Sequence, residues 1–127
     1  MQQHERVVLV SFGAWLTKDI DAFLSCFASG VHYRECYGPE YFGIDQLKRW
    51  FTEWNRRGTV LRWDILRFIH RDETCVAEWY FECSYDGVES GFDGVSLITF
   101  DGDGRMTQVK EFKSKAEHTR PYQPTDA

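Results

Sequence analysis

The chain has 127 residues, of which 43% are hydrophobic and 17% aromatic, and a formal net charge of −5. Length and apolar content fit one domain with a real core and exclude a disordered chain. The acidic balance argues against a reader of nucleic-acid backbones, and no apolar run approaches the about 20 residues of a membrane span.

In chain order, Val8, Phe12, Trp15 and Leu16 fall at helical spacing, and Thr17-Lys18-Asp19 breaks the run. Asp19 is placed to cap a short second helix, in which Ile20, Phe23, Leu24 and Phe27 keep the i, i+3, i+4, i+7 pattern until Ser29-Gly30. VHYRECYG, residues 31–38, reads as a strand that ends at Gly38-Pro39, where proline removes a ladder donor. Gly43 leads into a third helix with Asp45 in its first turn and Ile44, Leu47, Trp50, Phe51 and Trp54 on one stripe. Its Lys48-Arg49 and Arg56-Arg57 pairs read as a solvated face, and Gly58 fits a C′ position after it.

From Thr59 onward the pattern is β, with runs at 59–70, 75–85, 91–100 and 105–114. The breaks Arg71-Asp72-Glu73, Asp86-Gly87 and DGDG (101–104) carry hairpin turn chemistry, and DGDG lacks the further carboxylates of a calcium loop. The predicted fold class is therefore α+β: a curved, mostly antiparallel sheet wrapped on three N-terminal helices, forming a cone with an internal cavity. A single domain spans 1–127, with a core of about 5–114 and a polar tail at 115–127.

Cys26, Cys36, Cys75 and Cys83 show no C-x-x-C spacing and read as reduced thiols rather than a zinc site; no metal and no cofactor are expected. MQQHERVVLV has no signal-peptide pattern, so the expected location is cytoplasmic, with no nucleic-acid or membrane partner.

Within 31–38, strand parity puts Val31, Tyr33, Glu35 and Tyr37 on one face and His32, Arg34 and Cys36 on the other. The greasier face carries the acid, so either that face is wet or Glu35 has chemistry to do. On the last strand, Val109, Glu111 and Lys113 share a face, with Phe112 on the opposite side and competing for the interior. An ion pair of either acid with Arg62 or Arg67 is the ordinary alternative.

Three stretches, taken in order, resemble the nuclear transport factor 2-like superfamily, in its SnoaL-like and ketosteroid-isomerase-like branch. They are Lys18-Asp19-Ile20-Asp21 ahead of GVHYRECYG, the helix start Gly43-x-x-x-Leu47-x-x-Trp50-Phe51, and the closing hairpin FDGDGRMTQVKEF. The resemblance covers roughly residues 5 to 114 and implies the cone fold, a small hydrophobic ligand and a homodimer. It puts Glu35 where the isomerases keep their carboxylate base and turns the Glu111 face toward the cavity. The relatives' tyrosine and protonated-aspartate donors correspond here to Ser11 and Ser96, and Tyr33, Tyr37 or Ser96 could replace them. The third helix and central strands line the cavity in this fold, which makes Trp50, Trp54 and Trp79 ligand-binding candidates.

Glu35 and Glu111 are the candidate catalytic pair: two buried carboxyls that cannot both ionise cheaply, one serving as base and the other as proton donor. The implied activity is a cofactor-independent isomerase, cyclase or dehydratase. The rival readings are a non-catalytic ligand-binding module and a dimeric interaction domain that uses the outer sheet face around Val95, Leu97 and Thr99. An exposed Glu35, or a cavity filled by tryptophan, excludes the enzyme.

Overall fold

A computed structural model of the chain describes residues 2–114 and 117–122; of the expected tail, residues 115, 116 and 123–127 lie outside them. The elements run α1 (Gln2–Thr17), α2 (Ile20–Ser25), β1 (Phe27–Arg34), β2 (Glu40–Phe42), α3 (Ile44–Arg57), β3 (Gly58–Arg71), β4 (Thr74–Tyr85), β5 (Val88–Phe100) and β6 (Met106–Lys113). The six strands form one sheet in the order β2-β1-β6-β5-β4-β3. All neighbours are antiparallel except β1 and β6, which run parallel. This is the expected α+β class: three helices and a curved open sheet.

Local chemistry explains most boundaries. The Asp19 carboxylate accepts from the Ala22 N–H at 3.1 Å, capping α2 as its sequence predicts. Lys18, in the left-handed region at φ 58°, makes the corner between α1 and α2. Asp86 and Gly87, both at positive φ, form the two-residue turn between β4 and β5. In the β5–β6 hairpin the Asp101 carboxylate accepts from the Asp103 and Arg105 N–H groups at 2.9 and 3.0 Å, which closes the DGDG turn on itself.

Four local expectations need correction. Phe27 is not helical: α2 ends at Ser25, and Phe27 opens β1 beside Met106. Ser29-Gly30 does not end an element but lies inside β1, where the register against β6 shifts. The three-residue strand β2, absent from the sequence reading, forms because the turn after Glu35 folds Glu40–Phe42 back onto β1. Gly58 is not a left-handed C′ residue. Its backbone is extended, and a Cβ there would meet Tyr85 at 2.7 Å and Trp54 at 3.0 Å, so ring packing excludes a side chain.

The core lies between the helices and one face of the sheet. On β4 the alternation is strict, with Cys75, Ala77, Trp79, Phe81 and Cys83 turned inward and buried. Trp15 on α1 packs against Phe23, Trp50, Phe51 and Trp54 at centroid distances of 5.3, 4.9, 4.5 and 5.5 Å. Leu47 and Phe51 of α3 are buried, while Ile44, Trp50 and Trp54 flank them half-buried. Removing one such ring costs about 3–5 kcal/mol. Leu16, placed on the apolar stripe of α1 by spacing, is 42% exposed. All four cysteines are free thiols, and among the described residues no helix is long and apolar enough to cross a membrane.

Candidate functional site

β1 delivers Glu35 to the interior. Val31 and Tyr33 point inward and are buried, as parity requires, and Glu35, the next inward position, is only 8% exposed. Directly after it the chain turns: the Glu35 N–H donates to the Pro39 carbonyl at 2.9 Å, and the Gly38 N–H donates to the Glu35 carbonyl at 3.1 Å. Gly38 takes φ 110°, which glycine accepts without strain. Parity therefore stops at Glu35. Tyr37, expected on the same strand face, sits in the turn at 53% exposure, with its ring against Phe92 at 5.9 Å.

β6 delivers Glu111, also 8% exposed, from the strand that runs parallel to β1. Its inward neighbour Val109 is buried, and Phe112 faces out at 46% exposure, which resolves their competition for the interior. The Tyr33 hydroxyl donates to Glu111 Oε2, and the Cys36 backbone N–H donates to Oε1 at 3.3 Å. The Tyr41 hydroxyl, on β2, donates to Glu35 Oε2 at 3.0 Å. Neither acid pairs with an arginine: Arg62 bonds Asp64 and Glu82, and Arg67 bonds Glu78, all on exposed positions.

Burial dominates the electrostatics. It pushes the Glu111 carboxyl up to about 7, with the Glu35 charge adding to the rise and the Tyr33 bond opposing it. Glu35 is raised too, again by burial, with the Tyr41 hydroxyl and the Trp50 indole holding it lower. The Trp50 N–H does this by proximity alone, since it makes no hydrogen bond to any described residue. Tyr33, wholly enclosed beside Glu111, is raised well above its ordinary value and remains a donor.

Both carboxyls front a single inner cavity of about 40 Å³, walled by aromatic rings that include Trp50, Trp54, Trp63 and Trp79. The tryptophan rings narrow this space without closing it, and it has room for a few water-sized groups. Glu35, Tyr37 and Trp54 also border an outer funnel of about 420 Å³ that reaches Cys83, Tyr85 and Ser90. Glu35 thus borders both a narrow aromatic chamber and a wider outer hollow. Lys113 Nζ lies over the rings of Tyr37 and Phe92 at 4.7 and 4.9 Å, on the rim.

Glycine shapes this wall. A Cβ at Gly94 would lie 2.5 Å from the Trp79 ring and 2.3 Å from the Phe112 carbonyl, so glycine lets Trp79 lie across β5. There its indole N–H donates to Ser96 Oγ at 2.9 Å.

Of the sequence candidates, the structure brings Glu35, Glu111, Tyr37, Trp50, Trp54 and Trp79 to the cavity wall. Tyr33 lies behind it as the partner of Glu111. Ser11 and Ser96 do not line it. The Ser11 hydroxyl donates to the Val8 carbonyl at 2.8 Å, a turn back along its own helix, and Ser96, fully buried, is the acceptor of Trp79. Sequence reasoning missed Tyr41, Cys36, Trp15 and Trp63. Trp15 and Trp63 lie on apolar stripes that looked like core, and Tyr41 belongs to a strand only the fold creates. Among the described residues no group of three or more His, Cys, Asp or Glu side chains is arranged to hold a metal ion.

The SnoaL-like domain family matches residues 9–109. No curated protein matches the chain at a significant level. Among solved structures, an LEH-like epoxide hydrolase from M. tuberculosis superposes with a TM-score of 0.80 at 15% identity, covering 90% of this chain and 84% of that one. A Catenulispora acidiphila protein of ketosteroid isomerase-like fold, solved with trimethylamine, gives 0.77 at 17% identity, covering 86% and 85%. A candidate polyketide cyclase from Xanthomonas campestris gives 0.73 at 18% identity, covering 87% and 90%. At such identities the likeness is one of fold.

Proposed function

The chain belongs to the SnoaL-like domain family, and on that premise we propose that it is a cofactor-independent enzyme of the isomerase, cyclase or dehydratase kind. Its substrate is a small hydrophobic carbonyl compound. One observation carries the reading: two buried carboxyls, with no cationic partner among the described residues, front the same aromatic cavity. Structural likeness to a candidate polyketide cyclase and to a protein of ketosteroid isomerase-like fold supports the class.

Glu35 acts as the base. Tyr41 and Trp50 favour its ionised form, and among the described residues only its Oε2 is held by a hydrogen bond. In the reaction a Glu35 carboxylate oxygen takes the proton from carbon next to the carbonyl, and the electron pair moves onto the carbonyl oxygen. Glu111, carrying its proton below about pH 7, is the paired acid and keeps a second negative charge out of the chamber. The dimensions favour a substrate whose reacting end is narrow enough for the inner chamber and whose body rests in the funnel.

Replacing Glu35 by Gln tests this. Turnover of a substrate identified from a panel of steroids, polyketides and terpenoids should fall by at least about a hundredfold with the fold intact; unchanged turnover would overturn the assignment. The small inner chamber favours a second reading, a ligand-binding module without catalysis. In that case ligand-induced tryptophan fluorescence changes survive Glu35→Gln, and wild type turns nothing over. A homodimer through the outer sheet face, where Leu66, Leu97 and Phe112 are exposed, is compatible with either.

A further inference from the structure

Proton removal next to a carbonyl requires a donor where negative charge develops on oxygen, and the two serines aligned with the family's donors are engaged elsewhere. The other hydrogen-bond donors around the site can be followed one by one. The Tyr33 hydroxyl and the Cys36 N–H point to Glu111, the Tyr41 hydroxyl to Glu35, and the Trp79 indole to Ser96. Two remain. The indole N–H groups of Trp50 and Trp63 are buried, their rings line the cavity, and neither has an acceptor among the described residues.

These two differ. The Trp50 N–H stands near Glu35 and favours its ionised form, which ties it to the base. The Trp63 N–H serves no carboxylate. Its ring is also firmly held: it stacks on Phe12 at 3.8 Å and 14°, and meets Trp79 and Phe81 edge-on at 5.7 and 5.1 Å. A buried donor without an acceptor costs about 1–3 kcal/mol. Burial of the ring explains an aromatic residue at this position but not its nitrogen, and a buried group left without a partner calls for an explanation, a catalytic role among them.

We propose that Trp63 is a catalytic residue, its indole N–H donating to the substrate's carbonyl oxygen as negative charge builds there. The assignment rests on the proton transfer proposed above and adds the oxyanion donor, a role given to Trp63 by elimination among the buried donors at the cavity and by its rigid packing. The oxygen then lies at the Trp63 end of the chamber, the α-carbon faces Glu35, and the rest of the molecule extends into the funnel.

The probe is 4-nitrophenol, an aromatic oxygen compound, with nitrobenzene as the matched compound lacking that oxygen. Indole ¹H–¹⁵N correlations of the wild-type protein, assigned through their own side-chain couplings, are followed during titration at a pH below 7. The Trp63 N–H signal should move downfield with 4-nitrophenol and much less with nitrobenzene. In Trp63→Phe, or with a benzothienyl isostere of Trp63 that keeps the ring shape and lacks the N–H, 4-nitrophenol should bind about tenfold or more weakly while nitrobenzene binds as before. An unmoved Trp63 signal at saturation, equal affinity in the isostere, or no saturable binding of 4-nitrophenol overturns the proposal. Persistent turnover by Glu35→Gln would instead overturn the base, and the Trp63 titration does not depend on that result.

Discussion

The Tyr33 hydroxyl donates to the Glu111 carboxylate across the parallel pair β1 and β6, joining the two strands that carry the site's acids. Both partners are buried, so the bond works where water cannot replace it. Tyr33→Phe keeps the ring and removes the donor. The loss should be about 1.5–3 kcal/mol while Glu111 is charged and smaller while it is neutral. Urea denaturation at about pH 8 and about pH 5 measures this; equal losses at the two values would contradict the charge-assisted bond.

Glu111 also makes stability depend on pH. Its carboxyl is raised from 4.5 to about 7, so the folded state holds the proton more tightly than the unfolded chain does. That contribution is complete below pH 4.5 and is lost as pH climbs through about 7. Glu111→Gln removes this slope. Relative to wild type, the variant should gain on the order of 3 kcal/mol between acid and mildly alkaline pH, read from denaturation midpoints across that range. Parallel pH profiles for the two proteins would show that Glu111 titrates normally.

Gly94 is required by contact rather than by backbone angle. Gly94→Ala drives a methyl group into the Trp79 ring and the Phe112 carbonyl. Backbone cannot yield as a flexible side chain does, so the expected destabilisation is about 1–3 kcal/mol or more. A changed Trp79 environment should accompany it in the fluorescence spectrum. Wild-type stability in this variant would mean that β5 moves freely.

Ser96 and Ser11 should separate cleanly. Ser96→Ala strips the buried Trp79 indole of its acceptor and should cost about 1–3 kcal/mol. The Ser11 hydroxyl bonds only a carbonyl in its own helix, so Ser11→Ala should change stability by less than about 1 kcal/mol. Thermal melts of both variants test the order; a larger loss at Ser11 would reverse it.

Much of the architecture was legible along the chain, because helix and strand periods are local properties of spacing. Asp19 as a cap, the stripe of α3, the four long β runs and the shared face of Val31, Tyr33 and Glu35 needed no knowledge of neighbours. The branch resemblance likewise pointed to Glu35, and parity put Glu111 beside Val109. Where the reading failed, a distant contact had overridden a local rule. Phe27 kept its helical spacing but pairs with Met106, and Gly58 looked like a left-handed cap but yields to two rings.

Hydrogen-bond partners were beyond the sequence because they join residues far apart in the chain, as Tyr33 and Glu111 are, 78 positions from each other. The two serines show the same limit. The family resemblance implied which residue stands at the relatives' donor positions, and only packing showed that Ser96 accepts from Trp79 and does not line the cavity. Periodicity tells which face a tryptophan occupies, since that depends on its own strand. Whether its N–H finds an acceptor depends on every strand and helix around it, and for Trp63 the folded chain supplies none among the described residues.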